Sequence, residues 1–189
     1  KDGLVPPCDY PFKEICTKPC KTVKRALDRE QMVKLAIQRH FETERQNFSG
    51  RQFKIKTLAL FFIDDIASYR ESDNGKNPYL KEMFERLLLE RLNSLIEELP
   101  DSEDEYREYL KASAADISAC HSGYFAQDNS DSDEAIAQEV DEILHNKKGL
   151  ISLYNEDGTY NTRRFLFSKW TLKEGWDNPN VFTIAKLRS

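Results

Sequence analysis

Three short stretches set polar groups beside glycine, aromatic or cationic residues: DDIASYR at 64–70, HSGYFAQD at 121–128 and SKWTLKEGWDNPN at 168–180. Asp64 and Asp65 could share acid–base work as a carboxylate pair. Adjacent residues on a strand point to opposite faces, however, so the alternative is one acid that caps a turn and one in solvent. The common hydrolytic constellations are missing. The chain has no Gly-x-Ser-x-Gly elbow, no His-Glu-x-x-His pair and no glycine-rich phosphate loop ending in Gly-Lys-Ser/Thr. Cys8, Cys16 and Cys20 lie close together, but no Cys-x-x-Cys spacing occurs, and His40, His121 and His145 are remote from them in sequence. Reduced structural thiols and a weak metal site at Cys8, Cys16 and Cys20 are the two readings. No other metal site is expected.

The elements that must position these loops are readable from periodicity. In FKIKTLALFFIDDI, alternation at Phe53, Ile55 and Thr57 passes into an unbroken apolar run from Leu58 to Ile63. A run with no polar side is what a central strand covered on both faces requires. Asp28 is an N-cap candidate for a helix over about 29–46. Leu80, Phe84, Leu87, Leu88, Leu92, Leu95, Ile96 and Leu99 keep helical spacing up to Pro100, and DSEDEYREYLKASAADI opens another helix. This pair reads as a helical hairpin projecting from the sheet as an insertion. A short strand at SACHSGYF, a helix over about 134–147, a turn at NEDGTYN, and strands at RRFLFSKW and NVFTIAKLR complete the order. Such alternation predicts an α/β fold with a mainly parallel sheet, whose functional loops gather at the carboxyl ends of the strands.

Composition narrows the class. Of 189 residues, 39% are hydrophobic and 32% charged, as in a soluble globular chain, and no apolar run is long enough to span a bilayer. A cytoplasmic location is expected, with no membrane partner. The net charge is −5, yet Lys13–Lys56 carries twelve Lys or Arg against five Asp or Glu, and Arg163–Ser189 six against two. Two basic segments could therefore share one surface on an acidic whole.

FKIKTLALFFIDDIASYR, HSGYFAQD and FLFSKWTLKEGWDNPNVFTIAKLR resemble, in order and spacing, the second RecA-like (P-loop NTPase-type) motor lobe of the restriction subunit of type III restriction-modification enzymes. These are superfamily-two helicase-type translocases. The three segments are similar to motif IV, the His-Gly segment and motif V, and EGWDNPNV is the most specific of them. The likeness covers about 29–71 and 120–189, with the helices over about 75–118 as an insertion. Residues 1–28 are expected to be an irregular N-terminal segment from a neighbouring region.

The resemblance implies that the parent enzyme uses ATP and Mg²⁺ to move on duplex DNA and cut it, partnered by a modification methyltransferase subunit. Asp177 would lie near the nucleotide or the arginine finger, Gly175 would allow close backbone approach, and Pro179 would stiffen the turn's exit. Ser168, Lys169 or Thr171 would face a phosphate of the DNA, and His121 and Gly123 would lie close to the strand path. Motif VI, the first motor lobe and the nuclease domain would belong to the same longer chain. The present sequence is thus expected to be an incomplete lobe, inactive in isolation and without bound cofactor. The competing expectations are another superfamily-two helicase acting in repair or on RNA, and a non-enzymatic module whose acidic hairpin docks a partner subunit.

Overall fold

A computed structural model describes residues 28–50, 52–70, 77–125, 147–169 and 178–187. Helix α1 (Arg29–Ser49) begins at a capping box: the Asp28 carboxylate accepts from the Gln31 amide at 2.8 Å, and the Gln31 side chain accepts from the Asp28 amide at 3.2 Å. Strand β1 (Leu58–Ile63) follows, starting only where the apolar run begins. The preceding alternation is not strand, and Phe53 is 76% exposed. Helices α2 (Tyr79–Glu98) and α3 (Asp104–Ala115) come next, then β2 (His121–Tyr124), the short α4 (Lys147–Ile151), β3 (Phe165–Lys169) and β4 (Val181–Lys186). The helix expected over 134–147 lies almost wholly outside the described residues.

The four strands form one sheet in the order β2-β3-β1-β4, with every neighbouring pair parallel. β1 is flanked on both sides, as its continuous hydrophobicity requires. Successive side chains alternate between faces. Ala59, Phe61, Ile63, Phe165 and Phe167 face the helical layer, while Leu58, Leu60, Leu166 and Tyr124 pack with Leu150 on the opposite side.

The helical hairpin does not project from the sheet. Phe84 of α2 is fully buried, with ring centroids 5.6 Å from Phe61, 5.1 Å from Phe165 and 5.0 Å from Phe167. The apolar stripe of α2 is the inner face of a core layer, and α1, α2 and α3 together cover one side of the sheet. At the amino edge, Asn180 donates to the Lys56 carbonyl at 2.7 Å and the Leu58 amide donates to the Asn180 carbonyl at 2.8 Å, which ties the entry of β4 to that of β1. The turn expected at NEDGTYN closes between Asn155 and Thr159, with Gly158 at φ 82°, a left-handed conformation that suits glycine. No described helix is long and apolar enough to cross a membrane.

Candidate functional site

The register brings the carboxyl ends of β1, β2 and β3 level. Phe62 stands opposite Ser168 and Ser168 opposite Tyr124, while Ile63 pairs with Lys169, and Lys186 of β4 pairs with Phe62. The segments that follow β1 and β2, and the end of β3, therefore share one edge. It is here that parallel α/β sheets place ligands.

The two acids after β1 have separate tasks. Asp65 caps the one-turn helix Ile66–Ser68, its carboxylate accepting from the Ala67 amide at 3.1 Å. Asp64 lies 3.8 Å from the Arg29 guanidinium at the start of α1. They are not held together as an acid–base pair.

Ser168 is buried, and its hydroxyl donates to the Lys169 carbonyl at 2.9 Å. Lys169, half-buried, ends β3 on the helical face of the sheet. Thr171, Gly175 and Asp177 lie outside the described residues, as do Cys8, Cys16 and Cys20. Pro179 falls in a described turn over 178–180, closed by the Val181 amide donating to the Asn178 carbonyl at 3.1 Å. Cys120 is a buried free thiol. Among the described residues, no group of three or more His, Cys, Asp or Glu could hold a metal ion.

His121 starts β2 and points into the core, with 2% of its side chain exposed. Its Nε2 lies 3.0 Å from the Glu85 carboxylate of α2, and its Nδ1 lies 2.6 Å from the Tyr69 hydroxyl. A carboxylate only accepts, so Nε2 carries hydrogen, and in the neutral ring Nδ1 accepts from Tyr69. Burial pushes the imidazole below its ordinary pKa, although Glu85 pulls partly the other way. The expectation for His121 put the ring close to a strand of nucleic acid. The structure instead shows both nitrogens engaged inside the protein.

Gly123 lies on the same face of β2. A Cβ there would stand 2.4 Å from Cε2 of Phe125 and 2.9 Å from Cε1 of Tyr69. The absent side chain makes room for both rings. Arg70 holds its guanidinium 5.0 Å from the Phe125 ring centroid and donates to the Gly123 carbonyl at 3.4 Å. Tyr69, Arg70, Phe125 and Glu85 were not singled out from sequence. The available signal was the aromatic-cation pair ending DDIASYR, set against the lone glycine of HSGYF.

A sheet with all strands parallel and helices packed on it is the architecture of a partial RecA-like lobe. The chain is 50% identical over 175 aligned positions to the StyLTI Res subunit of a type III restriction-modification enzyme from Salmonella typhimurium, covering 85% of this chain and 17% of that protein. It is 48% identical over 160 positions to the EcoPI Res subunit of Escherichia phage P1 and to the EcoP15I Res subunit of Escherichia coli, with 85% of this chain and 16% of each relative covered. Over the segment it spans, about one sixth of the length of these relatives, the chain belongs to the family of type III restriction-modification Res subunits. No protein-family model matches the chain, and no solved structure does.

Proposed function

We propose that this chain is the coupling part of a type III restriction endonuclease motor, in which ATP binding and hydrolysis are linked to movement on duplex DNA. The observation that carries the reading is the level carboxyl edge. Identity of 48–50% to Res subunits assigns the family, and the register gathers the ends of the predicted motif segments on one side of the sheet. In this reading Lys169 and Thr171 meet the DNA backbone, and Gly175 and Asp177 meet the nucleotide side. Backbone contacts position the enzyme without reading bases, which suits a translocating motor.

Phosphoryl transfer needs a phosphate cradle, a metal and an arginine together. In this reading magnesium and the phosphate cradle belong to the first motor lobe of the parent subunit, and DNA cleavage to its nuclease domain. Sequence recognition belongs to a modification methyltransferase partner. The docking-module alternative gains little from the fold, because the hairpin it relies on is a layer of the hydrophobic core.

The test is ATP hydrolysis by the full-length parent subunit, with and without duplex DNA, for wild type and Asp177→Ala after matched folding has been verified. Loss of hydrolysis, or of its response to DNA, in the variant is the expected result. Equal hydrolysis and equal DNA response would remove the coupling role from this segment.

A further inference from the structure

Tyr69 leaves the one-turn helix at the carboxyl edge and lays its ring back across the helical face of β2 and β3. Its centroid is 4.5 Å from that of Phe167 and 5.8 Å from that of Phe125. The ring can lie there because residue 123 has no side chain. At its far end the hydroxyl meets His121, whose opposite nitrogen is held by Glu85 of α2. One residue further on, Arg70 is fixed against Phe125 and the Gly123 carbonyl. The Tyr69-Arg70 pair therefore clamps the segment after β1 onto β2 from two sides, one polar and buried, one cationic and at the edge.

An apolar contact would bury the Tyr69 ring equally well. A hydrogen bond to a ring nitrogen adds a fixed end point, since a hydroxyl that slides away from Nδ1 leaves a buried acceptor unpaired. Glu85 sets the tautomer, because its carboxylate requires the hydrogen on Nε2 and leaves Nδ1 to accept. The polar chain thus specifies where the Ile66–Arg70 segment stops, and with it where the Arg70 cation stands.

We infer that His121 is a positioning residue of the motor: through Tyr69 it fixes the turn after β1 and sets Arg70 at the carboxyl edge as a contact for a nucleic-acid phosphate. This rests on the proposed coupling function. It moves His121 from touching the strand to aiming a residue that does.

The experiment uses the full-length parent subunit and measures ATP hydrolysis against duplex DNA concentration, with thermal unfolding in parallel. The variants are Tyr69→Phe, Arg70→Gln, their double, Glu85→Gln and Glu85→Ala. Tyr69→Phe keeps the ring and removes only the hydroxyl. It is expected to raise the half-saturating DNA concentration roughly three- to tenfold, the worth of one positioned hydrogen bond, with the maximal rate held. Arg70→Gln does the same, and the double variant is no worse than Arg70→Gln alone, because both act through one contact. Glu85→Gln, whose amide oxygen still accepts from Nε2–H, stays near wild type, whereas Glu85→Ala follows Tyr69→Phe. An unchanged half-saturating concentration in Tyr69→Phe or Arg70→Gln, or fully additive losses in the double, would overturn the inference. Tyr69→Phe also lowers the unfolding temperature, because Nδ1 of His121 loses its donor. A rise in half-saturating concentration that disappears when the assay is run well below that temperature would reduce His121 to a packing role and overturn the inference equally. If wild type responds to DNA and Asp177→Ala does not, while these variants behave normally, this inference fails alone. If wild-type hydrolysis ignores DNA, the coupling function fails and takes this inference with it.

Discussion

Arg164 holds Nη1 2.6 Å from Oε1 of Glu44 in a place where neither side chain is more than 2% exposed. Burial opposes ionisation of Glu44, but Arg164 and then His40 outweigh it and hold the carboxyl below its ordinary pKa. Further partners surround the pair: His40 lies 3.3 Å from Oε2, the Tyr106 hydroxyl donates to Oε1 at 3.1 Å, and Arg164 also donates to the Ser113 hydroxyl and the Thr162 carbonyl. Glu44→Gln leaves a guanidinium buried without its counter-charge and is expected to destabilise the fold by about 3–5 kcal/mol. Replacing both partners, Glu44→Leu with Arg164→Met, costs less than that single change. Urea unfolding of wild type and the two variants decides it.

A pH effect follows from Lys56, whose ammonium donates to the Asn161 carbonyl in the same region. Burial first, then the Arg164 charge, draws its pKa down to about 7. Between that value and the ordinary lysine range the unfolded chain binds a proton that the folded chain does not, so stability rises with pH from about 7 towards 10. Lys56→Met flattens the rise, which is on the order of a few kcal/mol. The measurement is the urea midpoint at successive pH values across that window. A rise that survives in Lys56→Met would assign it to another group.

Gly123→Ala places a methyl against the Phe125 and Tyr69 rings at distances real side chains do not tolerate. The rings must shift, and overpacking of this kind typically costs about 1–3 kcal/mol. Calorimetry of Gly123→Ala beside Gly158→Ala separates two mechanisms. A Cβ on Gly158 would meet nothing within 4 Å, so any loss there comes from its left-handed backbone alone.

On the proposed function, Lys169 contributes one phosphate contact. Lys169→Ala is expected to weaken binding of duplex DNA by the parent subunit uniformly across sequences and to lower the salt slope by about one. Titrations at several salt concentrations report the slope. An unchanged slope places Lys169 off the DNA path.

Much of the fold was legible because its signals are local. The apolar run of β1 announced a strand with neighbours on both sides, the spacing of Leu80 to Leu99 announced α2, and Asp28 announced the start of α1. Long-range pairing was not legible. Glu44 and His40 read as polar residues of an amphipathic helix, and Arg164 as part of a basic segment, yet Glu44 and Arg164 meet across 120 positions of sequence. His121 shows the same limit at the site. The family resemblance put His121 near a strand of nucleic acid, and only the fold brings Tyr69 and Glu85 to its two nitrogens. The spacing of α2 likewise carried no information on what its apolar stripe would meet.

The strand order also dictates a sequence of events during synthesis. β1 emerges from the ribosome long before β3 and β4, the two strands that flank it, and both follow the whole helical layer. Until they arrive, a six-residue apolar segment has its backbone donors and acceptors unpaired, the condition under which nascent chains aggregate. α2 arrives first and can lay Phe84 over Phe61, so the helical hairpin shelters the unfinished sheet on one face while its partners are still being translated.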